Sequence, residues 1–238
     1  MANDREGIKT LFASLKKAKR EVLYPEEAEK VLRTYGINGA KSSFCRNDLE
    51  EVLRSSEKIG FPVALKLISQ DILHKSDAGC VALNLGNREE VRAAYHGILK
   101  NAERATKRDA LIEGFLVQEM VQKGHEVIVG LATDPTFGKI ILFGLGGIFV
   151  EILKDVAIRM VPITKADAQD MIEEIKGYNV LQGARGKEPA NLQLLREILL
   201  GVSRLGNEVE QIREMDLNPV FVSSSRAVVA DSRILVQK

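Results

Sequence analysis

A lysine inside an otherwise apolar run is the first feature of this sequence that demands a chemical reason. Residues 61–68 read Phe-Pro-Val-Ala-Leu-Lys-Leu-Ile, a strand-like segment whose one charge is Lys66. Burying an ammonium is costly unless an anion meets it. The polar connection that follows carries His74, Lys75, Ser76 and Gly79, groups able to surround a phosphate. A second apolar run, Cys-Val-Ala-Leu-Asn-Leu at 80–85, closes a strand–loop–strand unit. Each residue also has a plainer reading. Lys66 could snorkel its ammonium to a sheet edge, His74 could be a solvated loop histidine, and Gly79 could serve only as a turn residue.

A second group of candidates lies near the C-terminus. In Glu214-Met-Asp216-Leu-Asn218-Pro, the strand period of two puts Glu214, Asp216 and Asn218 on one face. A downstream strand is expected to end at Asp231, adding an oxygen ligand from a neighbouring strand. Such a set suits Mg²⁺, which takes few protein carboxylates and completes its shell with water and nucleotide phosphates. The polar outer face of an edge strand would show the same alternation, although Pro219 counts a little against a regular strand. The glycines of Phe143-Gly-Leu-Gly146-Gly147 expose backbone N–H groups that could bind phosphate oxygens. Glu119 at a strand end and Glu126 after Gly124 could accept ribose hydroxyls, or be exposed acids and nothing more. His96 and His125 read as structural or solvated.

The elements that would position these residues mix both periodicities. Helices are expected over 5–20 (Ile8, Leu11, Phe12 and Leu15 on one side), from Pro25 to Gly36, from Asn47 or Asp48 to Gly60, and over 88–106, 165–176 and 191–207. Strands are expected over 115–121, 126–130, 139–144, 157–162, 212–222 and 227–230. The class is α+β. The expected division is an N-terminal segment with a first lobe at 1–115 and a second lobe at 116–238. With 34 basic against 33 acidic side chains the net charge is +1, which argues against nucleic-acid or membrane-surface binding. No apolar run reaches the length of a membrane span. Two cysteines in strand-like segments and no signal peptide lead to the expectation of reduced thiols and a cytoplasmic setting.

Taken in order, Phe61-Pro-Val-Ala-Leu-Lys66, His74-Lys-Ser-Asp-Ala-Gly79, Val117-Gln-Glu119-Met120, Gly124-His-Glu126, Phe143-Gly-Leu-Gly-Gly147 and Glu214-x-Asp-x-Asn218-Pro resemble one family. It is the ATP-grasp domain of nucleoside-diphosphate-forming acyl-CoA synthetases, in the form of the β subunits of ADP-forming acetyl-CoA synthetases. The resemblance runs from about Tyr24 onward. It implies an ATP-grasp fold, two α+β lobes with antiparallel or mixed sheets and flanking helices, that grips ATP or ADP with Mg²⁺. On that resemblance Lys66 meets the nucleotide phosphates, and Glu119, Met120 and Val121 form a hinge around adenine and ribose. Asn218 and Asp231 match the metal ligands, with Asp216 beside them. His74 matches a histidine that carries phosphate between a partner subunit and the nucleotide.

The implied reaction is acyl-CoA (acetyl-CoA first), ADP and phosphate giving the free acid, CoA and ATP. The implied partner is a CoA-binding α subunit with its own phosphorylated histidine, in an α2β2 hetero-oligomer. Two positions depart from the family pattern. Cys80 stands where a second glycine is frequent, and Ala190 stands where an acid is usual in the stretch Leu181-Gln-Gly-Ala-Arg185-Gly-Lys-Glu-Pro-Ala190. Two rival readings are a stand-alone ATP-grasp ligase working through an acyl phosphate, and a non-catalytic nucleotide-sensing subunit.

Overall fold

Two helices, α1 (Ala2–Lys17) and α2 (Pro25–Thr34), open the chain. The computed structural model describes residues 2–69, 71–72, 75–106, 111–121, 124–147, 155–184 and 188–237. These fall into two compact units, a contiguous one at Ala40–Met120 and a discontinuous one made of Met1–Gly39 with Val121–Lys238.

The contiguous unit holds β1 (Ser42–Cys45), α3 (Leu49–Ile59), β2 (Val63–Ile68), β3 (Val81–Leu85), α4 (Arg88–Ala105) and β4 (Gly114–Glu119). Its helices start where capping chemistry places them. Asp48 accepts from the Glu50 and Glu51 N–H groups, and Asn87 accepts from that of Glu90. The strands form an antiparallel sheet in the order β1-β4-β2-β3. Alternation along β2 sends Val63, Leu65 and Leu67 into a core with Phe115, Val117, Val52, Leu53, Tyr95 and Ile98. Lys66 falls on the other side of the strand.

The discontinuous unit continues with β5 (His125–Asp134), β6 (Gly138–Leu145), β7 (Val156–Met160), α5 (Lys165–Glu174), α6 (Tyr178–Leu181), α7 (Leu192–Glu208), β8 (Ile212–Val222), β9 (Ala227–Val229) and β10 (Ser232–Val236). Its sheet runs β10-β8-β5-β6-β7, with β9 also paired to β8. Phe12, Leu15, Val31, Leu32, Leu195, Leu199 and Val202 from the helices meet Val129, Leu131, Phe143, Met215, Leu217 and Ile234 from the strands. Burying one side chain of this size contributes about 1.5–3 kcal/mol. That is why the first two helices belong to this core. The segment joining them pairs with β10: Leu23 N–H donates to Ile234 O at 3.1 Å, and Val236 N–H to Glu21 O at 2.8 Å.

This division differs from the expected one at 115/116, both in the boundary after Met120 and in the placement of the first 39 residues. Their apolar faces were visible in the sequence, but what those faces pack against was not. β1 ends at Cys45, where a strand-like segment was expected, whereas the short strand β10 and the single turn α6 were not foreseen. Among the described residues no helix is long and apolar enough to cross a membrane.

Candidate functional site

β8 has the alternation its sequence predicts. Met215 and Leu217 are buried in the core, while Glu214, Asp216 and Asn218 are exposed on the opposite face. On that open face Asp216 lies between Arg233 of β10 and Gly130 of β5, and the row continues through Leu142 and Ile158. Val129 pairs with Leu217 but Val127 pairs with Val220, so Asn218 and Pro219 form a bulge. A bulge re-aims side chains and relieves the proline's missing donor. Asn218 N–H donates to Asp231 O at 3.1 Å, and Ala230 N–H to Pro219 O at 2.9 Å. Asp231 therefore sits opposite the bulge, in the turn between β9 and β10 rather than at a strand end.

The electrostatics of this group point one way. Desolvation holds the Asp216 carboxyl above the usual carboxylate range, the negative charges of Asp231 and Glu214 add to the rise, and Arg233 opposes it. A divalent cation would reverse that penalty. Among the described residues no three His, Cys, Asp or Glu side chains form a ready-made metal cage. Mg²⁺ does not require one, since phosphate and water oxygens supply most of its shell. The residues present fit it.

Glu126 is exposed on β5, and its carbonyl accepts from Gly146 N–H at 2.8 Å. A Cβ at Gly146 would lie 2.6 Å from Glu126 Cγ and 3.1 Å from its Cδ, so only glycine leaves this side chain its position. Gly147 follows in the left-handed region at φ +62°.

In the contiguous unit Lys66 is partly buried at mid-strand, between Val81 of β3 and Leu116 of β4. β2 is an interior strand, so its ammonium does not stand at a sheet edge. Glu119 Oε1 accepts from Lys41 N–H at 3.0 Å, while Lys41 O accepts from Glu119 N–H at 2.9 Å. Met120 N–H donates to Pro62 O at 3.2 Å, and Val121 begins the other unit. Residues 75–79 form a turn in which Gly79 N–H donates to Ser76 O at 3.0 Å and Cys80 N–H to Lys75 O at 2.8 Å. With Gly79 at φ +65°, these two bonds are the pattern that closes a helix C-terminus. Ser76 is exposed on this turn. His74 and Arg185 lie outside the described residues.

The sequence profile of the ATP-grasp domain family matches residues 14–236. The chain belongs to the ATP-grasp family. It is 46% identical over 220 residues to subunit beta of the acetate–CoA ligase (ADP-forming) I of Pyrococcus furiosus, covering 92% of this chain and 94% of that protein. It superposes with a TM-score of 0.93 and 42% identity on the acetyl-coenzyme A synthetase 1 of Ca. Korarchaeum cryptofilum in complex with coenzyme A and Ca-AMPCP, covering 96% of this chain and 99% of that one. A second structure of that enzyme, with coenzyme A and Mg-AMPPCP, is described with its phosphohistidine segment pointing towards the nucleotide binding site. It matches with a TM-score of 0.83 and 40% identity, over 97% of this chain and 100% of that one.

Within this ATP-grasp chain the two departures from the family pattern are both buried. Cys80 is fully enclosed in the contiguous core, where burial pushes its thiol up and the nearby Lys75 charge opposes the rise. Ala190 is 7% exposed, and its N–H donates to Leu181 O at 2.8 Å. An acid there would need a partner in a tight backbone turn. Two residues of the site were missed from the sequence, Lys41, whose backbone holds Glu119, and Asn101, whose side chain reaches Gly79. The one cue for Asn101 is a poor helix former inside a long helix.

Proposed function

We propose that this chain is the nucleotide-binding β subunit of an acid–thiol ligase interconverting acyl-CoA, ADP and phosphate with acid, CoA and ATP. The observation that carries the reading is the gathering of Asp216, Asn218 and Asp231 at the β8 bulge, a charge arrangement that a metal–phosphate complex would relieve. The Korarchaeum enzyme's complexes with Mg-AMPPCP and Ca-AMPCP, and its phosphohistidine segment, support it. The subunit name of the Pyrococcus relative supports a CoA-binding α partner, and we place the two in an α2β2 assembly. Cys45 and Cys80 are buried thiols, which suits a reducing cytoplasm.

In this reading Lys66 neutralises phosphate charge, and Glu126 and Glu119 accept nucleotide hydroxyls. Gly147 offers a backbone N–H group at the phosphates, whereas the Gly146 N–H is donated to Glu126 O and this glycine serves by leaving room for the Glu126 side chain. Asn218 and Asp231, with Asp216 beside them, hold Mg²⁺, which withdraws charge from the transferring phosphoryl oxygens. Towards ATP synthesis, the P–N bond of phosphorylated His74 breaks and a terminal phosphate oxygen of ADP forms the new P–O bond. The imidazole keeps the electron pair and takes up a proton. In reverse the neutral imidazole is the nucleophile, available near pH 7.

The test is to reconstitute the chain with its α partner and incubate it with [γ-³²P]ATP and Mg²⁺. Acid-labile, base-stable phosphate is expected on His74. His74→Ala should abolish turnover and retain Mg·ADP binding. Label confined to the partner, with near-normal turnover of His74→Ala, would show direct transfer to the nucleotide. Acyl-CoA formation by this chain alone would overturn the split between two subunits.

A further inference from the structure

Leaving tyrosines and cysteines aside, six polar side chains are buried among the described residues, and all but one have a partner. Ser56 Oγ donates to Val52 O at 2.8 Å, and Ser69 Oγ accepts from Asp71 N–H at 3.2 Å. The His125 ring meets Glu188 O at 2.7 Å. Asp155 accepts from the Lys176 and Gly177 N–H groups, and Ser203 Oγ accepts from Ile163 N–H. The exception is Gln118, which is 8% exposed and whose amide meets no hydrogen-bond partner among the described residues. Such a group is costly to hold, because burial strips its water and nothing replaces it. It is not sealed in, however. No partnerless side-chain nitrogen or oxygen among the described residues is fully enclosed, so the amide end still opens to solution.

Gln118 stands on β4 directly between Ser42 of β1 and Ala64 of β2. Strand alternation puts it on the side that carries Lys66, away from Phe115 and Val117, which fill the core. Lys66 pairs with Leu116, two residues back along β4. Lys66 and Gln118 are therefore diagonal neighbours on one face, about 7–8 Å apart. Ala64 puts only a methyl group beside the amide, and Glu119 follows next in the chain.

We propose that Gln118 reads the purine of the bound nucleotide and selects adenine over guanine. The proposal rests on the nucleotide-binding reading above, in which Lys66 meets phosphate and Glu119 a nucleotide hydroxyl. A group flanked by those two contacts faces the N7 edge of the purine, because in an anti nucleotide that edge is turned towards the 5′-phosphates. A carboxamide carries an acceptor oxygen and a donor amino group side by side. Adenine presents the matching pair, its N6 amino donor and its N7 acceptor, which is how glutamine reads adenine in a DNA major groove. Guanine presents two acceptors on the same edge, O6 and N7, and one of them would face the carboxamide oxygen.

The experiment titrates the full chain by calorimetry with Mg·ADP, Mg·GDP and Mg·7-deaza-ADP, in which a C–H group replaces N7. The parent should prefer ADP to each of the other two by about tenfold. Gln118→Met keeps the length of the side chain and removes the amide. It should lose about tenfold in ADP affinity and bind all three nucleotides alike, to within about threefold. Its nucleotide-free thermal midpoint should be no lower than the parent's, because the variant no longer buries an unpaired amide. The 7-deaza comparison on the parent needs no variant and decides the N7 contact by itself. Equal affinity of the parent for ADP and 7-deaza-ADP would overturn the assignment and leave the nucleotide-binding reading standing. The same preferences in parent and Gln118→Met would do likewise. Failure of the parent to bind any of the three would overturn that reading, and this proposal with it.

Discussion

Replacing Gly146 by alanine tests the Glu126 cradle directly. The new Cβ would stand 2.6 Å from Glu126 Cγ, closer than any tolerated carbon contact, so the glutamate side chain must turn away. Leaving a preferred rotamer costs about 0.5–1.5 kcal/mol. For a chain of this size that corresponds to an unfolding midpoint lowered by a few degrees, since each kcal/mol shifts it by roughly 2–4 °C. The larger effect falls on binding. A hydrogen bond from a nucleotide hydroxyl to a charged acceptor contributes about 1.5–3 kcal/mol, so Mg·ADP affinity should fall about 10- to 150-fold. Calorimetric titration of Gly146→Ala, Glu126→Ala and the double variant reads this out. If the glycine acts only through the glutamate, Gly146→Ala adds almost nothing once Glu126 is gone. Additive losses, or parent-like affinity of Gly146→Ala, would refute the reasoning.

Three other outcomes follow from the same geometry. Lys66→Ala should weaken Mg·ADP binding by about 10- to 150-fold, the value of a charge-assisted phosphate contact, while its thermal unfolding stays cooperative. Unchanged affinity would mean the ammonium only snorkels. Asp216 has a raised pKa and holds its proton more tightly folded than unfolded. Metal-free protein should therefore lose stability, by at most about 1 kcal/mol, as pH rises from the usual carboxylate pKa through the raised one. Mg²⁺ should restore that stability, and Asp216→Asn should flatten the profile; a pH-independent metal-free parent is the contrary result. Lys139 Nζ donates to Gly206 O and Val209 O at 2.8 and 2.6 Å, at the end of α7. Lys139→Met should cost about 1–3 kcal/mol in urea denaturation with nucleotide affinity intact, and a loss of affinity would contradict its structural assignment.

What could be read in the sequence was what local chemistry decides. Asp48, Asn87 and Asn191 cap helices that begin within a residue or two of the expected starts, because a cap satisfies N–H groups only two or three residues away. The alternation of Glu214, Asp216 and Asn218 survived for the same reason: it is a property of one strand. What depends on distant partners stayed hidden. β10 and the Glu21–Leu23 pairing join opposite ends of the chain, and no neighbour in sequence announces them. Asp231 was read one element too early, since its turn is defined by the unforeseen β10. Asn101 is adjacent to Gly79 only after α4 has docked on its sheet.

The pairing of Lys41 with Glu119 has a consequence for how this protein is made. Both ends of the contiguous unit leave it side by side, so its 40–120 segment is a closed insertion whose contacts are complete once Met120 has been synthesised. The discontinuous unit must wait until β8 and β10 have been synthesised before α1 and α2 find their core. During synthesis the first two helices therefore carry exposed apolar faces while the insertion behind them is already folded. Segment 40–120 produced alone should unfold cooperatively, whereas a chain ending before Ile212 should leave its first helices open to chaperones and proteases.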